Sequence, residues 1–514
     1  MLNSDRIILS NGNILTLDAK NSRAEALAIA NGRITHVGAS VEIRSKTGQG
    51  WESIDLRGKT VLPGFIDSHV HFLATALAAA GIDLSETRSV PEILKKVDER
   101  ARRTPPGDWI LGFLITHLSD RGMPTRYDLD RITTTHPVRL FHRNGHLSSL
   151  NTIALQILKV PQGLDGVEKA SGELTGVVRD PASLLLPRPD RFLKDDVKEE
   201  ALKKASVSIP AKGITTIHAL DGGPRSPGTI ELILKTAEHL PLKVIPYYQT
   251  MVTKEVLDLG LPRIGGCICA DGAFESHTAA LFEPYADEPD NYGTLTYSQQ
   301  EMTGFILQAH RAGLQVAIHC EGDRAIEQVL SAYEKALRDL PRDDHRHRVE
   351  HFEIPTENQV ERVARAGIMI AMQPSFLPAF FFRGGVERYE AFFGRPRLKR
   401  IHPYRTMISQ GIFIAGGSDS PVTPIDPLAG IEAAATHPHP DERIPALEAI
   451  KMFTLNGARF AFEENEKGTI EVGKAADLVV LSENPCNILP SRIGKISVEM
   501  TIINGKVVFL RNAP

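Results

Sequence analysis

The segment Asp67-Ser68-His69-Val70-His71 follows directly on the apolar run Val61-Leu62-Pro63-Gly64-Phe65-Ile66, so a His-x-His pair stands at the end of a strand pattern. Residues i and i+2 of a strand point to one face, which lets His69 and His71 offer two imidazoles to one metal ion. Paired histidines at strand ends also occur without any such role, so other segments must decide. Leu314 to His319 is a strand-like run ending in histidine, Arg348-Val349-Glu350-His351 repeats the pattern, and Ile412 to Asp419 ends in glycines and a carboxylate. Each places a potential ligand at the C-terminal end of a strand, the end where a parallel α/β barrel builds its active site.

The elements that must position these residues can be read along the chain. The 514 residues suit one large barrel with a smaller domain better than three separate units. From Arg6 to Val37, short strand patterns alternate with Asn-Gly turns at Asn11-Gly12 and Asn31-Gly32, a hairpin texture that returns in Gly468 to Leu481 and Met500 to Phe509. Both chain ends are expected to form one β-sandwich domain, 1–62 with 464–514, bracketing a barrel over 63–463. Within 63–463, strand runs alternate with helix-length segments at Val90–Arg103, Lys194–Lys212, Ser298–Ala312, Asp323–Asp339 and Thr356–Ala366, the signature of βα units. The stretch 81–173 is polar, rich in Pro and Gly and less regular, and reads as an insertion that shapes the pocket. The expected fold is α/β: a (β/α)8 TIM-like barrel with a flanking β-sandwich.

Composition narrows the class. With 42% apolar and 24% charged residues and a formal net charge of -4, the chain gives no reason to expect nucleic acid or an anionic membrane as partner. No apolar stretch approaches the ~20 residues of a membrane span, and the first residues lack the layout of a secretory signal. Cys267, Cys269, Cys320 and Cys486 have no disulfide-like spacing, so a cytoplasmic setting is expected. Cys267-Ile268-Cys269 is C-x-C, which supports neither a redox motif nor a structural zinc ribbon.

Taken together, Thr60 to His71, Gly213 to His218, Ala270-Asp271-Gly272, His319 to Ala325, Val349-Glu350-His351, Gly417 to Val422 and Gly473 to Leu481 resemble the metal-dependent amidohydrolase superfamily, in its amidohydrolase-3 (YtcJ-like) branch. The resemblance spans essentially the whole chain. It implies that His69 and His71 bind the more buried metal, that His319 and His351 serve a second or neighbouring position, and that Asp419 binds metal and takes a proton from the attacking water. One or two Zn2+ or similar ions per subunit are implied, and coordination lowers the pKa of water towards ~7. It further implies a homo-oligomer, a dimer or larger, acting on a small molecule. The reaction expected is hydrolysis of a C–N bond, most plausibly an amide of an N-acyl amine or N-acyl amino acid. Cyclic amide or ester hydrolysis, decarboxylation, or a non-catalytic metal-binding homologue are the alternatives.

One departure concerns the lysine that, carboxylated, bridges two metals in many relatives. Four residues before Asp271 this chain has Cys267, which resembles the bridging cysteine of D-aminoacylase-type relatives; a buried inert thiol is the competing reading. Cys269 shares its face on a regular strand, so the choice between the two rests on family spacing. His277 stands where relatives often carry a basic substrate-binding residue. His146 is a candidate donor to an oxyanion, and Arg324 a candidate for a substrate carboxylate. Asp271 either orients a ligand or caps the next helix, and Asp323 reads as a helix cap. His142 reads as a loop residue. His345 and His347 sit among charges and read as a solvated connection, His218 as a core or pocket residue, and Phe376, Phe380, Phe381 and Phe382 as packing, pocket lining or a lid.

Overall fold

A computed structural model describes residues 5–115, 122–143, 147–179, 182–224, 226–381 and 385–511. Its centre is an eight-stranded parallel sheet: β1 (Phe65–Val70), β2 (Ile214–Asp221), β3 (Lys243–Tyr248), β4 (Arg263–Cys269), β5 (Gln315–Cys320), β6 (Arg348–His351), β7 (Met369–Met372) and β8 (Ile414–Gly416), each paired with the next in chain order. β1, β2, β5 and β6 are buried at every residue, as expected of strands covered on both faces. The ring closes just past the end of β8, where Ser420 bridges Val70 in parallel. At this seam the Asp419 N–H donates to the His69 carbonyl at 2.8 Å, and the His71 N–H to the Ser420 carbonyl at 3.0 Å.

Helices cover the outer face. Asp323–Asp339 buries Ile326, Val329, Leu330, Tyr333 and Ala336, the three- and four-residue spacing of a helix with one apolar stripe. Ser298 and Thr356 cap Gln299–Arg311 and Glu357–Ala366 with reciprocal bonds to Glu301 and Gln359. Asp323 does not cap its helix: Gly322 takes that position, while the Asp323 carboxylate accepts from the Phe282 N–H at 2.9 Å and pairs with Arg400 at 3.2 Å.

Both chain ends join one six-stranded sheet, in the order Lys506–Leu510, Val498–Ile503, Leu478–Leu481, Thr60–Pro63, Asn13–Leu15, Arg23–Ala24. It shares a core with a four-stranded sheet containing Arg6–Ser10, through Ile7, Leu9, Ile29, Val61, Leu478 and Ile502. The barrel with its flanking sandwich is thus the observed architecture.

The stretch between β1 and β2, expected to be less regular, forms a third sheet, running from Ile82–Asp83 to Glu173–Arg179, with six strands and its own core around Ile93, Val97, Ile110, Leu129, Val138 and Leu140. Its strand runs Ile110–Ile115 and Val138–His142 are short and separated by long turns, which hid the regularity. It reaches the barrel mouth, where the Arg143 side chain donates to the Val422 carbonyl at 3.4 Å.

A buried ion pair ties the terminal sheet to the barrel: Lys467 Nζ lies 2.6 Å from Asp477 Oδ2 and 3.4 Å from the Thr216 hydroxyl on β2. Lys467→Met leaves Asp477 buried without its cation and is expected to cost about 3–5 kcal/mol, read as a lower urea midpoint. An unchanged midpoint would mean that the pair ties nothing.

Candidate metal centre

His69, His71, Cys267 and Asp419 come together at the C-terminal mouth of the barrel. His69 Nε2 and His71 Nε2 stand 3.3 and 3.1 Å from Asp419 Oδ1, and Cys267 Sγ stands 3.5 and 3.6 Å from the same two nitrogens. His71 follows β1 directly and is the N-cap of helix Phe72–Ala80, whose first N–H groups donate to Asp221 at the end of β2. Asp419 adopts the left-handed region (φ 54°), a strained conformation that places its carboxylate against the two imidazoles. The approach also needs Gly417: a Cβ there would fall 2.6 Å from His69 Cβ and 2.7 Å from the His69 nitrogen.

The far ring nitrogens set the tautomers. His71 Nδ1 lies 2.9 Å from the Leu220 carbonyl and His69 Nδ1 2.7 Å from Glu350 Oε2, so each Nδ1 carries the proton and each Nε2 faces the cluster. Glu350 is gripped by Arg348, Nε to Oε1 at 2.5 Å and Nη2 to Oε2 at 2.7 Å, and Arg348 also donates to the Ser68 carbonyl at 2.7 Å. Burial works against the Glu350 charge, but Arg348 and His69 outweigh it and hold its pKa below the usual value. This Arg348–Glu350 pair had an available signal in the i, i+2 alternation of Arg-x-Glu beside His351.

Without a cation, burial opposes protonation of His69, yet Asp419 and Glu350 outweigh it and raise its pKa to about 9. Burial likewise opposes the Asp419 charge, and His69 and His71 overcome it, holding Asp419 well below the carboxylate range. The Cys267 thiol is pushed up by its hydrogen bond with Cys269, then by burial and the nearby carboxylates. His351 is kept neutral by burial and by the neighbouring imidazoles. A divalent cation fits this donor set. Asp419 Oδ1, His319 Nδ1 and both nitrogens of His351 are buried with no hydrogen-bond partner, whereas buried polar atoms are almost always paired. Ligand atoms of His69, His71 and Asp419, and of His69, Cys267 and His351, lie mutually within 4.8 Å.

His319 stands beside this cluster, its ring 4.3 Å from that of His351 and its Nε2 3.2 Å from the Gly272 carbonyl. Asp271 lies 3.6 Å from His319 Nε2 and accepts from the N–H groups of Ala280, Glu321 and Gly322, so it braces the loops after β4 and β5. Burial lifts its pKa to about 6. A third convergent set, absent from the sequence reading, joins Glu321, His351 and Glu353, again within 4.8 Å of one another. Burial drives both carboxyls up, Glu353 to about 8. The Phe376 ring packs 5.9 Å from that of His351 and 5.0 Å from that of Phe380, so these two rings stand beside the cluster; Phe382 lies outside the described residues.

Other expected residues are not drawn into the cluster. His277 pairs with Asp287 at 3.1 Å between the rings of Tyr285 and Phe392, and Arg324 donates to the Gly293 carbonyl at 3.0 Å. His146 lies outside the described residues. His218 is a buried neighbour of Arg348, 3.1 Å from its Nη1. His345 and His347 are not solvated. Strand-like alternation turns both inward and Asp344 outward, and His347 stacks on Tyr333 and bonds His310 at 2.8 Å. They precede β6, at the end of the barrel opposite His69 and Asp419.

A model of the amidohydrolase family matches residues 52–509. The chain is 31% identical to the putative amidohydrolase YtcJ of Bacillus subtilis, over 98% of this chain and 99% of that protein. It is 28% identical to the N-substituted formamide deformylase of Arthrobacter pascens, over 98% of each chain. Among solved structures, an uncharacterized metal-dependent hydrolase from Pyrococcus furiosus superposes with a TM-score of 0.78 at 26% identity, covering 94% of this chain and 100% of that one.

The protonation pattern gives the centre a signature. In the metal-free protein, His69 has a folded pKa of about 9 against an ordinary 6.5, so its ion pairs stabilise fully below pH ~6.5 and are lost as pH rises through about 9. Cation uptake near pH 7.5 expels this proton and, where Cys267 ligates, the thiol proton as well. Calorimetry in buffers of different protonation enthalpy is expected to show about two protons released, and one fewer in Cys267→Ala. Equal release from both proteins would make Cys267 a packing residue.

Proposed function

The chain belongs to the amidohydrolase family, and from that premise we propose that it hydrolyses the amide of an N-acyl amine or N-acyl amino acid with a divalent cation, zinc foremost, held by His69, His71, Cys267 and Asp419. The observation that carries this reading is the convergence of two imidazoles, a thiol and a carboxylate at the barrel mouth, with Asp419 Oδ1 within 3.3 Å of both imidazoles and free of any aligned hydrogen bond. A closed structural site needs no acid–base carboxylate at this position, which speaks against a non-catalytic homologue. The cation, when bound, supplies Lewis acidity, making water nucleophilic near neutral pH and polarising a carbonyl.

The residues of the chain do the positioning and the proton transfer. Glu350 and the Leu220 carbonyl hold the Nδ1 protons of His69 and His71, so that the Nε2 atoms are the ones left to ligate once cation uptake has expelled the His69 proton. Asp419, ionised at neutral pH, accepts the proton of the attacking water and returns it to the leaving nitrogen, so that amide and water become a carboxylic acid and an amine. His319 and His351 serve a second or neighbouring cation position, and Asp271 steadies His319. The acyl-amine preference is supported by the full-length likeness to a formamide deformylase.

Asp419→Asn is expected to keep its metal and lose about 10²–10⁴-fold in kcat, checked by elemental analysis beside turnover of N-formyl and N-acyl amines. A near-normal rate would remove Asp419 from the proton path. Turnover confined to cyclic amides or lactones would reassign the substrate while keeping the centre.

A further inference from the structure

Glu321 and Glu353 are two carboxyl groups in a nearly closed setting, 6% and 2% exposed, and among the described residues neither pairs with a lysine or arginine. They come from different strands' ends. Glu321 follows β5 and is held by the Phe274 N–H at 3.0 Å, whereas Glu353 follows β6. Between β6 and Glu353, His351 and Phe352 both adopt left-handed backbone (φ 72° and 51°), and the turn brings His351 and Glu353 to one place. Their ligand atoms and that of Glu321 lie within 4.8 Å of one another. The buried atoms there are not satisfied by the protein: both nitrogens of His351 and Oε1 of Glu353 lack a hydrogen-bond partner, as does Nε2 of His402, 3.7 Å from the Glu353 carboxylate.

We propose that Glu321, His351 and Glu353 form a distinct divalent-cation position at the barrel mouth, adjoining the Cys267 centre and sharing only His351 with its surroundings. The proposal deepens the metal-dependent reading and rests on it through that histidine alone. Two carboxylates with one imidazole make a harder donor set than thiolate with imidazoles, so this position prefers Mn2+ while the Cys267 centre prefers Zn2+ or Co2+. His319 belongs to none of the convergent groups, its Nε2 being engaged near Gly272 and Asp271, so the glutamate position is separate from the one that His319 serves beside the Cys267 centre.

The test uses full-length protein stripped of metal, loaded with one equivalent of Co2+, then titrated with Mn2+ and followed by electron paramagnetic resonance. Wild type is expected to show a cobalt–thiolate absorption band and to take up one further equivalent of Mn2+. The E321Q/E353Q variant is expected to keep the band and lose at least about 100-fold in Mn2+ affinity. C267A is expected to lose the band and keep Mn2+ uptake. Equal Mn2+ uptake by wild type and E321Q/E353Q, or none by wild type, would overturn the position. Circular dichroism melts check folding, and Glu353→Gln alone carries the same comparison should the double variant not fold. A wild type without the cobalt–thiolate band would refute the Cys267 centre, an outcome separable from the Mn2+ arm.

Discussion

An eight-stranded parallel sheet leaves two raw edges unless its first and last strands meet, and in this chain they meet at His69, His71 and Asp419. The Val70–Ser420 bridge, with the His69 carbonyl and the His71 N–H taking part beside it, closes the ring and brings Asp419 onto the two imidazoles. Barrel closure and site assembly are therefore one event. It demands glycine at Gly417, where any side chain would strike His69, and a left-handed Asp419. β8, only three residues long, gives way early to this irregular backbone.

Beneath the seam, the barrel interior is filled by charge rather than by hydrocarbon alone. Arg348 is wholly buried, its guanidinium 4.6 Å from the centroid of Tyr247 and 5.3 Å from that of Phe460, with Glu350 and the Ser68 carbonyl as acceptors. A buried pair of this kind adds little net stability, because desolvation offsets attraction. Its value here is directional: Glu350 cannot turn away from Arg348, so His69 cannot rotate its Nε2 from the cluster.

Donor chemistry changes across the mouth. Around β1 and β4 it is thiol and imidazole; around the ends of β5 and β6 it becomes carboxylate and imidazole, with Phe376 closing over His351. The third sheet stands at this rim and touches the loop after Asp419 through Arg143. This sheet lies outside the barrel, while the convergent side chains sit at the ends of strands whose burial holds them still.

Much of this was legible in the chain. Alternation of strand runs with amphipathic segments announced the barrel, since period-2 and period-3.6 patterns survive in any context, and ligands at strand ends announced a mouth. Asn-Gly turns likewise announced the terminal sheets, because those turns need residues that tolerate positive φ. What periodicity could not carry was distance across the barrel. Glu321 and Glu353 look like ordinary polar residues along the sequence, 32 positions apart, and only the parallel alignment of β5 with β6 and two left-handed residues bring them to one histidine. His345 and His347 looked solvated because their neighbours are charged, yet alternation turned them inward. The residue types and their strand-end placement determined which chemistry is possible; tertiary structure decided which of these side chains come together, because their convergence depends on separations of a few ångströms between strands that the chain's own order leaves free.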